Sequence, residues 1–208
     1  MVVGFDTTVL PKLDYRDPER FWQIVRGLDL LFRERQDQLA PVMDLAPALE
    51  AAYQRLDPLI QEYTAKVCPY CGTICCANKF GFPEFGDVVV FLSLGLDIPK
   101  YRLDINYEEI CQFIGEKGCV LSRPNRPYRC TWYFCDPLLV QLEIGPAIHY
   151  RNFIKDLQEL SRARGELLKL FHEIWTGNGW DLSWLIRIAI DSLSGITPIP
   201  AQHKGGDG

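Results

Sequence analysis

Residues 68–76 read Cys68-Pro69-Tyr70-Cys71-Gly72-Thr73-Ile74-Cys75-Cys76, so four of the chain's eight cysteines fall within nine positions. The other four, Cys111, Cys119, Cys130 and Cys135, follow within the next sixty residues. A lone cysteine usually fills a core position as a small apolar side chain, and Cys111 and Cys135, each near aromatic residues, are open to that reading. The first four are not. A nine-residue knuckle cannot build a core, and Pro69 and Gly72 do not suit a regular buried element. Two thiols spaced C-x-x-C can share one metal ion, and the glycine after them permits the positive φ that turns backbone N–H groups toward sulfur. Adjacent Cys75 and Cys76 point in different directions in most backbone conformations. One of them is therefore expected to leave the first site, either to join Cys119 and Cys130 in a second site or to stand beside it as a thiol that does not ligate.

The same knuckle is also the spelling of a dithiol redox site. That chemistry needs the first cysteine at a helix N-terminus after a strand, in a βαβ unit. Here a helical pattern runs directly into Cys68, which disfavours it. The chain has 208 residues, is 48% hydrophobic and 24% charged, and carries a net charge of −5. These values suit an ordinary globular protein with a sizeable core. No Lys/Arg run supports nucleic-acid binding. Residues 1–12 show neither a basic n-region nor an apolar h-region, and no apolar stretch approaches membrane-spanning length. The expectation is a cytoplasmic protein with no nucleic-acid or membrane partner. In a reducing compartment, eight cysteines favour metal ligation or redox chemistry over a disulfide framework. The chain's three histidines, His149, His172 and His203, sit on helical segments or in the tail and are expected not to ligate.

The pattern around the cysteines is helical. Asp17-Pro18 marks a helix start, and the apolar stripe from Phe21 to Phe32 carries that helix to about Leu39. A second stripe covers 44–67. Asp57-Pro58 should kink it or divide it in two. Residues 80–96 hold a Val-rich run with strand propensity, but Glu84 or Asp87 can cap a helix ending at Gly95, which is preferred. Residues 110–121 read as a β-hairpin around Gly115 and Gly118, with a helix over 106–114 as the competing reading. Asp136-Pro137 starts another helix, Gly145-Pro146 breaks it, and a long helix follows over 147–175. Asp181 caps the last, which runs to Leu193. The expected fold is mainly α: a helical scaffold around a small cysteine-rich metal-binding centre with a short β-hairpin. Residues 1–195 form a single domain with the cysteine core at 68–135, and 196–208 form a flexible tail.

Taken together, these residues resemble the CxxCxxCC zinc- or iron-chelating family, the YkgJ-type cysteine-cluster proteins. The resemblance rests on Cys68-x-x-Cys71-Gly72 leading into Cys75-Cys76. It continues in Cys111-Gln112-Phe113-Ile114, then a turn, Cys119-Val120-Leu121, and Arg126-Pro127-Tyr128-Arg129-Cys130. This chain departs from the pattern in one extra residue between Cys71 and Cys75. The stretch from Cys119 to Arg126 is also longer by about one residue and lacks the usual tyrosine, and Thr131 stands where arginine often follows. The resemblance covers about a third of the chain. It implies metal binding by Cys68, Cys71, Cys75, Cys76, Cys111, Cys119, Cys130 and Cys135, with an iron–sulfur cluster (4Fe-4S favoured) or zinc. A related motif occurs in flagellin lysine methylases, where an iron–sulfur cluster is implied. Arg126, between ligands, would neutralise thiolate charge or contact an anionic substrate; otherwise it is a surface arginine before a turn proline. The expected role is a metal-binding protein whose centre is structural or carried to a protein partner; the alternative is a metal-dependent enzyme of group transfer such as protein methylation or of redox chemistry, and a helical interaction module is the third reading, for which core packing is the simpler explanation. No Ser-His-Asp spacing, phosphate-binding glycine loop or paired carboxylates point to a particular reaction.

Overall fold

The computed structural model describes residues 10–72, 75–116 and 118–194. Their periodic stripes become helices α1 (Pro18–Glu34), α2 (Gln36–Met43), α3 (Ala46–Val67), α4 (Asn78–Gly81), α5 (Phe85–Ser93), α6 (Arg129–Trp132), α7 (Asp136–Ile144), α8 (Ala147–Gly177) and α9 (Leu182–Leu193). A two-stranded antiparallel hairpin joins β1 (Ile114–Gly115) to β2 (Gly118–Cys119), with Ile114 opposite Cys119 and Gly115 opposite Gly118. The fold is thus mainly α with a short hairpin. No helix among the described residues is long and apolar enough to cross a membrane. The tail expected at 196–208 lies outside the described residues.

Local chemistry explains most boundaries. Asp17 caps α1 by accepting from the Arg20 N–H at 3.1 Å, and Asp181 caps α9 by accepting from Trp184 at 2.7 Å. Such caps satisfy donors that the first helical turn leaves free. At α5, Glu84 and Asp87 form a reciprocal capping box, so the helix wins over the strand propensity of Val88–Val90. The first stripe does not continue to Leu39. It stops at Glu34, and the chain restarts as α2. The break redirects it: α1 packs on α9 and α5, whereas α2 packs on α8. The second stripe is one helix, not divided in two at Pro58. Proline removes the bond to the Gln54 carbonyl. Gln54 and Pro58 are both on the exposed face, where water can take up that carbonyl.

One apolar core draws on Phe21 and Leu28 of α1, Leu49 and Leu56 of α3, Val88 of α5, Leu160 and Phe171 of α8, and Leu185 of α9. Gly27 lets α1 approach α9 closely, since a Cβ there would lie 2.5 Å from the Leu185 carbonyl oxygen. Beneath the cysteine region the core carries a polar knot. Buried Asp87 takes an Arg164 guanidinium N–H at 2.9 Å, the Tyr128 N–H at 3.1 Å and, through its other oxygen, the Glu84 N–H at 2.9 Å. Arg164 also lies over the Tyr128 ring, 4.6 Å from its centroid. This knot ties α5 and α8 to the segment that leads into Cys130. Removing one partner of a buried ion pair leaves an uncompensated charge. We expect Arg164→Met to lower unfolding stability by about 3–5 kcal/mol in urea denaturation; a loss below about 1 kcal/mol would show that the pair does not anchor this segment.

Candidate metal centre

The site begins where α3 ends. A single 3-10 turn, Cys68–Tyr70, follows the helix, and the Cys71 N–H closes it on the Cys68 carbonyl at 3.3 Å. Gly72 does not take the positive φ expected of it; among the described residues that conformation occurs at Gly95, Gly118 and Gly179. The knuckle is therefore shaped by the helical turn before it rather than by a left-handed glycine.

Residues 76–79 then run alongside 106–112. Cys111 donates its N–H to the Cys76 carbonyl at 2.8 Å, and Ala77 and Ile110 form a β-bridge. Buried Asn78 staples the two segments: its side chain donates to the Asn106 carbonyl at 2.8 Å and accepts the Gln112 N–H at 2.7 Å. The hairpin is shorter than expected because Ile110 pairs with Ala77, and residues 111–113 turn instead of extending. What remains of it sets Cys119 against Ile114, three residues beyond Cys111. Cys130 lies on α6, and Cys135 is the residue just before α7. Gly81 makes room for the Cys111 sulfur, which an added Cβ would meet at 2.7 Å.

The eight cysteines are reduced, with no disulfide among the described residues, and they fall into two neighbourhoods. In one, Cys76, Cys111, Cys119 and Cys130 lie within electrostatic reach of one another in every pairing. In the other, Cys68 feels Cys75, Cys135 and Cys71, while Cys75 feels Cys76 and Cys135. The neighbourhoods meet at Cys76, which also feels Cys68. As the side chains stand, no three His, Cys, Asp or Glu groups among the described residues are arranged to hold a metal ion. The backbone gathers the thiols, and coordination would require their χ1 rotamers to turn inward.

Burial is the first cause of every resolved thiol shift, and neighbouring thiols add to it. Both favour the neutral form. The thiols of Cys68, Cys75, Cys76 and Cys111 are pushed up, and that of Cys130 is pushed up to about 12. Cys130 nonetheless keeps accessible surface. The two facts agree where a thiol faces a concave space walled by protein, and burial by those walls is the property that governs its ionisation.

Two arginines frame this space. Arg126, singled out from sequence, is 8% exposed and donates from Nε to the Leu121 carbonyl at 2.9 Å and from Nη2 to the Cys119 carbonyl at 3.4 Å. It is no surface arginine, and it has no carboxylate partner among the described residues. Sequence reasoning passed over Arg123, which is 3% exposed. Arg123 pairs with Asp57 at 2.9 Å and donates to the Cys130 carbonyl at 3.1 Å, while its Nη2 finds no partner. Burial, followed by the Arg126 charge, lowers its pKa. The signal available in the sequence was the spacing of the two arginines, three apart around Pro124. Thr131, beside Cys130, likewise buries a hydroxyl with no partner. A cleft of about 380 Å³ opens beside Cys119, with Tyr53, Gln54, Asp57, Arg123 and Arg126 on its walls. His149 shares a hydrogen bond with the Tyr63 hydroxyl through Nδ1 at 3.2 Å.

No known family model, curated protein or solved structure matches the chain.

The Cys130 shift has a clear sign. A thiolate is the nucleophile in alkylation, and a folded-state value of about 12 leaves only about one part in 10⁴ ionised at pH 8. In the reduced, metal-free folded chain, Cys130 should react slowly with iodoacetamide through pH 9 and faster as pH rises toward 12. The unfolded chain, with an ordinary thiol value near 8.5, ionises first as pH rises. The metal-free fold therefore loses stability above about pH 9. Rapid labelling of folded Cys130 at pH 8, read by peptide mass spectrometry, would contradict this account.

Proposed function

We propose that this chain is a metal-binding cysteine-cluster protein that holds an iron–sulfur cluster or zinc through its two groups of cysteines. The observation that carries the reading is the quartet Cys76, Cys111, Cys119 and Cys130, four thiols brought from three separate segments into mutual reach. Four thiolates form the donor set of a tetrahedral zinc site or of a four-iron cluster. Among the described residues, the side chains that act on Cys76, Cys111 and Cys130 are thiols, with Asp87 the last of those on Cys130.

Charge supports the same reading. Burying a guanidinium without a counter-charge costs several kcal/mol, yet Arg126 is buried and has no carboxylate partner among the described residues. A divalent ion with four thiolates carries a net charge of −2, which supplies the missing counter-charge next to the Cys119 and Cys130 loops. In the thiol form the quartet is neutral, and Arg126 has only carbonyl partners. Bringing in the metal would thus relieve two costs together: the desolvated thiols would release their protons to solvent as the cation takes up the thiolate charge, and the arginine would gain an anion. On this reading the chain is similar to the CxxCxxCC family in chemistry as well as in spacing.

A second reading is a metal-dependent enzyme of group transfer or redox chemistry. The specific observation favouring it is the cleft beside Cys119, where Tyr53, Arg123 and Arg126 would face a bound molecule next to the metal.

The test is anaerobic purification with quantitation of zinc, iron and acid-labile sulfide per chain. A brown protein with stoichiometric iron and sulfide selects the iron–sulfur form, and a colourless one with zinc selects the zinc form. A folded chain that neither carries nor takes up metal overturns the proposal. Arg126→Gln should speed metal loss to a chelator, and Arg126→Lys should restore part of the retention; unchanged rates would remove the arginine from the account.

A further inference from the structure

We propose that the cleft beside Cys119 binds a small organic monocarboxylate, with its carboxylate at Arg123 and the charge of Arg126 behind it. The inference goes beyond the metal-binding reading and does not need a metal at the quartet. It gives a chemical class to the molecule that the cleft would hold.

Two pieces of chain build the cleft. Tyr53, Asp57 and Gln61 recur every four residues, so they share one face of α3 and form one wall. The segment from Cys119 to Arg126 forms the other. The ion pair of Arg123 with Asp57, at 2.9 Å, ties the two walls together. At about 380 Å³, the space is large enough for a small molecule.

The chemistry of the walls selects the ligand. Arg123 is 3% exposed. It spends Nε on Asp57 and Nη1 on the Cys130 carbonyl, and its Nη2 is buried with no partner among the described residues. An unpaired buried donor is costly, and a carboxylate oxygen beside Nη2 removes that cost. The planar fork of a guanidinium also matches the two oxygens of a carboxylate. Arg126 turns Nε and Nη2 to the Leu121 and Cys119 carbonyls, so it lends the cleft charge rather than a free fork. Arg123, Arg126 and Asp57 are the charged residues of the walls. Two positive charges against one negative leave a net charge of +1, which a monoanion brings to zero. A phosphate dianion overshoots that balance and meets the Asp57 carboxylate. Val120, Leu121 and Pro124 line the same space and suit a short apolar body behind the carboxylate.

The test titrates the reduced full chain, labelled with ¹⁵N-arginine, with butyrate at pH 7, where the acid is ionised. The readout is the guanidinium Nε–H resonances. Those of Arg123 and Arg126, each identified by its loss in Arg123→Lys or Arg126→Lys, should shift and saturate. Butyramide, equal in size and uncharged, should shift neither, and inorganic phosphate should bind more weakly than butyrate. Arg123→Gln should weaken butyrate binding about tenfold or more. Gln61 is exposed on its wall, so replacing it leaves the buried network intact. Gln61→Lys should tighten binding about threefold, and Gln61→Glu should weaken it about threefold. Circular dichroism checks the fold, and the Gln61 pair decides the matter if Arg123→Gln unfolds. No saturable shift, an equal response to butyramide, tighter binding of phosphate, or unchanged affinity in both Gln61 variants overturns the proposal. Metal content is measured in the same samples. Butyrate binding by a chain that takes up no metal overturns the metal-binding reading alone, and a metal-loaded chain that ignores butyrate overturns this inference alone.

Discussion

One backbone hydrogen bond, Cys111 N–H to the Cys76 carbonyl at 2.8 Å, joins two stretches of chain that the helices otherwise keep apart. Next to it sit the Ala77–Ile110 bridge and the two hydrogen bonds of buried Asn78. Without this seam, the loop after α3 and the hairpin with Cys119 would be independent surface segments. With it, Cys76 faces Cys111 and Cys119. The Asp87–Arg164–Tyr128 knot then fixes the approach to Cys130 from below. The thiols are thus gathered by polar contacts anchored in an apolar helical core, not by packing among the cysteines themselves.

That arrangement is costly for the protein without metal. Several thiols are held in surroundings that resist their ionisation, and among the described residues the buried guanidiniums of Arg123 and Arg126 share one carboxylate partner, Asp57 on Arg123. Arg123 Nη2 and Thr131 Oγ1 add buried polar atoms with no partner. Buried groups of this kind concentrate at functional sites. The proposed metal–thiolate centre would account for the thiols and the positive charge together.

The helices were largely legible in the sequence because their signals are local. Asp17, Asp181 and the Glu84/Asp87 box are short-range hydrogen-bonding choices, and the stripes of α1, α3 and α8 follow from 3.6-residue periodicity. The misread boundaries depended on partners far along the chain. The end of α1 at Glu34 reflects which helix each half packs on. The hairpin was recognisable from Gly115 and Gly118, but Ile110 pairs with Ala77, more than thirty residues earlier, and no local pattern announces that. At the site, spacing identified the cysteines and Arg126. It did not reveal that Arg123 is buried, since burial of an arginine depends on Asp57 from α3, nor how the eight thiols divide.

The most direct measurement of the central claim is X-ray absorption at the metal edge of the protein purified without oxygen. The account predicts an all-sulfur first shell, four sulfurs per metal at about 2.3 Å, with metal–metal scattering added if the centre is an iron–sulfur cluster. A first shell dominated by nitrogen or oxygen would contradict it.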